Sequence, residues 1–427
     1  MAGIPNLEEV NGTVPHGAAL AGERIAIFSG AYNHIADGVT MTLNRLVAHL
    51  HEQGADVLIF APTIDDPPVE HVGELVPIPS FHFYGYPDYI VSTSLSQAAR
   101  ARLDAFAPTL IHVATPDFLG FKALRYAKKH GIPLVSSYHT HFAAYLEYYW
   151  VPFTVGMVWK YLRWYYAQCE HLYVPSESMA EALRDYGITH GIRLWQRGVD
   201  RDRFNPAHRS TAWRQSLGID DDEVVITFVS RLVWEKGLNV YAEVIEGLTA
   251  RGIPHRSLIV GDGPARAELV ERLPETVFTG HLVGEALARA YASSDVFLFP
   301  SDTETFGNVT LEAMASGLPA VCADATGSRS LVEHGETGLL APPFDAGRFL
   351  KAAERLATDH PLRREMGRKA LGRAQSYAWS AVLDRIVGYY VELLRPETTV
   401  PAKAAGDGYA AANVGVSQPV LLPPSSV

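Results

Sequence analysis

Short apolar runs alternate with longer amphipathic stretches along this chain, and the alternation occurs twice, with a break between. In the first series, residues 25–28, 57–60, 110–113, 134–137 and 171–174 each read as a buried strand. Residues 39–53 and the stretch between 113 and 134 read as helices between strands, and a further helix is opened by Ser176 after the last of them. Strand, helix and strand in succession make neighbouring strands parallel and place helices on both faces of the sheet. The run Arg197-Gly198-Val199-Asp200, followed by Phe204-Asn205-Pro206, reads as a crossing between domains. Beyond it the alternation resumes at 224–229 and continues through 258–260, 296–299 and 320–322. The pattern predicts an α/β protein of two Rossmann-like, doubly wound domains. Such sheets bind ligands beyond the carboxyl ends of their strands, so two facing sheets share one cleft.

Composition narrows the functional classes. The 427 residues suffice for two sizeable cores, and 48% hydrophobic with 19% charged residues marks a globular chain. A net charge of -11, with no basic stripe to offset it, argues against nucleic acid as a partner. The two cysteines, Cys169 and Cys322, lie in apolar runs and read as buried thiols, which suits a reducing cytoplasm. The first 22 residues are neither basic nor continuously apolar, so no signal peptide is expected. No apolar run reaches membrane-spanning length.

The chemistry concentrates after the strand expected at 296–299. There Ser301-Asp302-Thr303-Glu304-Thr305-Phe306-Gly307-Asn308-Val309-Thr310-Leu311-Glu312-Ala313 sets two carboxylates eight positions apart around a Gly-Asn step. A helix over 307–316 places Glu304 in the loop before it and Glu312 two turns inside it. The backbone N–H groups of Phe306, Gly307 and Asn308 then sit at the helix start, where an anion is favoured. A site that holds a phosphate on amides and a polyhydroxy group on carboxylates needs this set. Arg231 and Lys236, five apart after a strand, can reach one diphosphate as a fork and a point charge. Gly38, at the first strand-to-helix turn, permits close backbone approach.

Glu, seven residues, then Glu resembles the signature of the retaining glycosyltransferases of family 4, which have the GT-B fold. Other stretches are similar to that family's in the same order: Val229-Ser230-Arg231-Leu232-Val233-Trp234-Glu235-Lys236-Gly237, Val260-Gly261-Asp262-Gly263-Pro264, and Phe278-Thr279-Gly280-His281-Leu282 with Ala290-Tyr291-Ala292-Ser293-Ser294-Asp295. Ser137-Tyr138-His139-Thr140-His141 resembles the active-site His in the form seen in sulfoquinovosyl- and lipid mannosyltransferases. The resemblance spans roughly residues 24–395. It implies a disordered start at 1–22, an acceptor domain at 23–197, a nucleotide-sugar domain at 198–378 and a helix at 379–395 crossing back to the first domain. The tail 396–427, rich in Ala, Gly, Pro and Ser, reads as disordered.

The resemblance also implies roles. Arg231 and Lys236 stabilise the departing diphosphate, and His139 hydrogen-bonds the donor sugar. Glu304 binds sugar hydroxyls and Glu312 the ribose. Gly38, Gly261, His281, Phe306, Gly307 and Asn308 complete the donor site. The implied reaction moves a hexose from GDP-mannose or a UDP-sugar to an acceptor hydroxyl by front-face substitution. No metal or other cofactor is implied, and no His pair has metal-ligand spacing. His141 is a second contact or an ordinary loop residue. The acceptor is expected to be a membrane lipid or a glycan. Aromatics interleaved with Lys160 and Arg163 in the segment 145–166 suit a peripheral surface on the cytoplasmic face of a membrane, or else fill a core. A sugar-nucleotide epimerase and a noncatalytic carbohydrate-binding protein are the alternatives. A dehydrogenase is disfavoured, because Ser29-Gly30-Ala31-Tyr32-Asn33 lacks the dinucleotide glycine pattern.

Overall fold

The computed structural model describes residues 19–35, 38–83, 86–92, 95–138 and 152–395. Two parallel sheets organise it. The first contains β1 (Arg24–Phe28), β2 (Asp56–Ala61) and β3 (Glu74–Pro77); the hairpin β4 (Ser80–Phe83) with β5 (Tyr86–Ser92) stands apart from it. The sheet is completed by β6 (Leu110–Val113), β7 (Leu134–Ser137), β8 (His171–Val174) and β9 (Ile192–Leu194), in the order β3-β2-β1-β6-β7-β8-β9. The second sheet holds β10 (Val225–Val229), β11 (Arg256–Val260), β12 (Val277–Gly280), β13 (Val296–Phe299), β14 (Ala320–Ala323) and β15 (Gly338–Ala341), ordered β12-β11-β10-β13-β14-β15. Strand order reverses beside β1 in one and beside β10 in the other, which opens a crevice at each switch point.

The central strands are buried on both faces, as their unbroken apolar runs require. Helices begin where a polar residue can satisfy the first free amides. Asp117 accepts from Gly120 N at 2.8 Å to open Phe118–His130, and Ser176 accepts from Met179 N at 3.2 Å to open Glu177–Asp185. The helix Trp379–Leu394 packs against the first domain: Val382, Leu383, Ile386, Val387 and Tyr390 join a core with Ile25, Leu43 and Leu46. Its Tyr390 hydroxyl meets His112 Nδ1 at 2.6 Å, and His112 Nε2 meets Ser137 Oγ at 2.5 Å. Burial pushes the His112 pKa down to about 3, so the ring is neutral in this chain of contacts.

The two connections between domains run side by side. Val199 N donates to Tyr377 O at 2.8 Å, and Val199 bridges Ala378. Gly198 lies so close to Trp379 that a Cβ would stand 2.4 Å from the indole Cδ2.

Two sequence expectations are refined. The chain is already ordered within the first domain at residue 20: Leu20 is wholly buried and its N–H donates to Gln53 O. The aromatic segment divides, with Trp159, Leu162, Tyr165 and Tyr166 in the first domain's core and Lys160, Arg163 and Trp164 facing outward. Helical periodicity forces that split, because one face must bury. Residues 139–151 and 396–427, including the expected disordered tail, lie outside the described residues. Both cysteines are free and buried.

Candidate active site

Two helix starts meet across the cleft. Gly38 opens Gly38–Glu52 in the first domain, and Asn308 opens Asn308–Ala315 in the second. A Cβ on Gly38 would lie 3.3 Å from Asn308 Nδ2, so the glycine is what allows this approach. Gly307 precedes the second helix at φ 95°, a left-handed conformation that suits glycine. The helix therefore starts at Asn308 rather than Gly307, and Glu312 stands one turn inside it rather than two. Phe306 is a core residue whose ring meets that of Tyr377 edge-on at 6.0 Å.

Lys236 and Glu304 come together although 68 positions separate them. Lys236 Nζ donates to Glu304 Oε1 at 2.6 Å, with only 14% and 18% of the side chains exposed. Lys236 ends the single 3-10 turn Trp234–Lys236, and Gly237 follows at φ 75°. A Cβ on Gly237 would lie 2.8 Å from the Pro300 carbonyl carbon. The turn is thus pressed onto the end of β13, from which the Glu304 loop emerges. Arg231 does not join them. It is 72% exposed, its nearest carboxylate being Glu235 at 3.9 Å.

The loop after β11 is packed against Ser230–Leu232, at the start of the segment that leads from β10 to Lys236. Gly261 (φ 143°) would carry a Cβ only 1.9 Å from Ser230 O, and Gly263 one 2.6 Å from Leu232 O. No side chain fits at either position. His281 follows β12 but is exposed and does not line the cleft over Glu312. His139 and His141 lie outside the described residues.

Glu312 forms the floor of a cleft of about 270 Å³, bordered by Gly38, Arg45, Arg203, Asn308 and Trp379. Burial pushes its carboxyl up to about 7, against a hydrogen bond from Tyr291 and the charge of Arg203. The Tyr291 hydroxyl donates to Glu312 Oε2 at 3.1 Å. Arg45 stacks over Trp379, 4.7 Å from the ring centre. Tyr291, Arg203 and Arg45 were not among the sequence candidates. Tyr291 sat within a quoted motif, but nothing in its spacing announces Glu312 as its partner. Among the described residues no group of three or more His, Cys, Asp or Glu side chains is placed to hold a metal.

The arrangement suits an anionic ligand bearing hydroxyl groups. Free amides at the Asn308 helix start and the Lys236 ammonium favour phosphate. Glu304 and Glu312 supply acceptors for hydroxyl donors on either side. Two facing Rossmann-like domains with such a cleft define the class of GT-B nucleotide-sugar transferases.

Comparison with known proteins agrees. The pattern described as Glycosyltransferase Family 4 matches residues 36–203, and that described as Glycosyl transferases group 1 matches residues 223–359. A GDP-mannose-dependent alpha-mannosyltransferase of Mycobacterium tuberculosis is 34% identical over 392 residues, covering 90% of this chain and 100% of that one. A sulfoquinovosyl transferase of Arabidopsis thaliana is 32% identical over 374 residues, covering 85% of this chain and 72% of that one. Sucrose-phosphate synthase from Thermosynechococcus elongatus shares the fold, with a TM-score of 0.69 at 21% identity, covering 88% and 100% of the two chains. The chain belongs to the family 4 glycosyltransferases. It is a nucleotide-sugar-dependent hexosyltransferase, and the epimerase and noncatalytic alternatives are not favoured.

Proposed function

We propose that the protein transfers a hexose, with retention, from GDP-mannose to a hydroxyl of a membrane lipid. The observation that carries the site assignment is the Lys236–Glu304 pair beside the Asn308 helix start, with Glu312 one turn below. Lys236 and the amides take the donor diphosphate. Arg231 swings in from the rim to add a guanidinium fork. Glu304, released from Lys236 by the phosphate, accepts hydroxyls of the sugar, and Glu312 accepts those of the ribose. The family resemblance assigns His139 a hydrogen bond to the donor sugar. Charge builds on the diphosphate as the sugar becomes oxocarbenium-like, and fixed cations and amides stabilise that charge most. The leaving phosphate takes the acceptor's proton on the same face. With these cations as counter-charge, the reaction proceeds without a metal.

One relative supports the donor, and a second relative and the surface of the first domain support a lipid acceptor. The relative from Mycobacterium tuberculosis supports the donor choice by its name. Another relative, 26% identical over 315 residues, is an alpha-monoglucosyldiacylglycerol synthase of Streptococcus pneumoniae. In this chain, the helices Phe118–His130 and Pro152–Tyr166 present Phe118, Trp164, Lys122, Lys128, Lys160 and Arg163 outward on the first domain. Phe121 and Trp164 lie 6.1 Å apart, so the two faces are continuous. Exposed aromatics among cations suit lipid headgroups on the inner face of a membrane. No helix among the described residues is long and apolar enough to cross one. A panel of GDP- and UDP-sugars incubated with membrane lipid extract tests the reading. A glycolipid of retained anomeric configuration, formed from GDP-mannose, is the expected product; a donor isomer formed without acceptor would contradict it.

A further inference from the structure

Ser176 and Ser178 lie at the start of the Glu177–Asp185 helix, at the carboxyl end of β8 in the first domain. Both reach into the second domain. Ser176 Oγ donates to Thr305 O at 2.8 Å. Ser178 Oγ accepts from Gly327 N at 3.1 Å and lies 2.9 Å from Ser330 Oγ, which in turn accepts from Ser178 N at 3.3 Å. Gly327 is not a remote anchor. At φ 80°, a Cβ there would lie 2.6 Å from Glu304 O and 3.0 Å from the Phe306 carbonyl carbon. Gly327 is therefore wedged against the backbone of the loop that carries Glu304 and the Phe306–Asn308 amides. The serines hold that loop both directly, at Thr305, and from beneath, through Gly327 and Ser330.

These contacts lie away from the paired connections at Val199 and Ala378, which tether the domains to each other by covalent chain. The serine contacts have no such tether and exist only while the domains are together. We propose that Ser176 and Ser178 form a latch across the cleft and act as positioning residues, fixing the 304–308 loop in its donor-sugar geometry only when the domains close. Domain closure and assembly of the sugar site are thereby one event. A donor bound to the open molecule therefore meets no assembled sugar site, and is not activated toward water before both domains engage it. The catalytic consequence rests on the donor reading given above; the mechanical part does not.

Ser176 also caps its helix, so the test uses Ser178→Ala, Ser330→Ala and the double variant in the full chain. Ser178→Ala keeps the capping bond from Met179 N to Ser176 Oγ, losing only the 3.3 Å contact between the two serine hydroxyls there. The first readout is hydrogen exchange of ligand-free protein. Amides in 304–308 and 327–330 should exchange faster in each variant, with an unchanged melting temperature and unchanged exchange in β10 and β13. The two single changes should be non-additive, because the hydroxyls share one contact. The second readout is kinetic: kcat with the donor used by the wild type should fall about tenfold, with affinity for the free nucleoside diphosphate within about twofold of wild type. Unchanged exchange in 304–308 would overturn the latch. Faster exchange with a wild-type kcat would overturn its role in transfer. A wild type inactive with every nucleotide sugar would refute the donor reading instead, and the exchange measurement would still decide the latch.

Discussion

At the scale of single residues, Lys236 is held in a half-buried hydrogen-bonded pair while Arg231 has only a long, exposed ion pair to Glu235, and this difference predicts unequal effects. A diphosphate must draw the Lys236 ammonium away from Glu304 at 2.6 Å, whereas Arg231 stands 72% exposed at the rim. Lys236→Ala is expected to cut kcat by about 10²–10³, typical for loss of a preorganised charge-stabilising donor. Arg231→Ala should cost less, since its side chain is not preorganised. Turnover assays on both variants, with circular dichroism to confirm folding, check the order; a larger loss for Arg231→Ala would reverse the assignment. Glu312 predicts a pH dependence. Its folded-state pKa is raised from 4.5 to about 7, chiefly by burial. Between those values the folded chain keeps a proton that the unfolded chain has released. The stability this contributes is present below 4.5 and lost as pH rises through about 7. Glu312→Gln should therefore gain melting temperature relative to wild type above pH 7 and show little difference near pH 4. Hydroxyl donors favour the charged carboxylate, so wild-type affinity for a nucleoside diphosphate should weaken below pH 7 relative to that variant, by at most about tenfold per unit. Parallel pH profiles would refute the ribose role.

At the scale of elements, tight loops hold the site. The Cβ of an alanine at Gly261 would fall 1.9 Å from Ser230 O. Gly261→Ala should destabilise the second domain by at least about 1–3 kcal/mol, the usual cost of overpacking. Denaturant melts measure it, and a neutral result would mean the loop relaxes freely. This loop and most strands were legible in the sequence. Continuous apolar runs such as Val225–Val229 and Val296–Phe299 have few alternatives once βα alternation is recognised. The helix start was misplaced by one residue, because Gly307 takes a left-handed turn that no hydrophobic pattern reveals. Tyr291 escaped notice for another reason. Its bond to Glu312 joins neighbouring helices, and tertiary pairing of this kind leaves no local spacing. The aromatic segment could not be resolved from composition, since core and surface aromatics alternate on one helix. The burial of Leu20 was hidden by its short alanine- and glycine-rich context, which has no strand or helix period.

At the scale of the whole molecule, the outward face of the first domain should dock reversibly on anionic lipid. Each Lys or Arg near such a surface contributes about 1 kcal/mol. Lys160→Glu with Arg163→Glu should markedly reduce co-sedimentation with anionic liposomes, more so at low salt, while leaving donor binding intact. Equal sedimentation of the double variant would remove this face from the account. The central claim is that one cleft holds the donor with divided roles for its two carboxylates. Calorimetric titration tests it most directly, using a free nucleoside diphosphate and the intact nucleotide sugar on Glu304→Ala and Glu312→Ala. The account predicts that Glu312→Ala weakens both ligands, whereas Glu304→Ala spares the free nucleotide and weakens the nucleotide sugar. Equal loss of both ligands in both variants, or no loss in either, would contradict it.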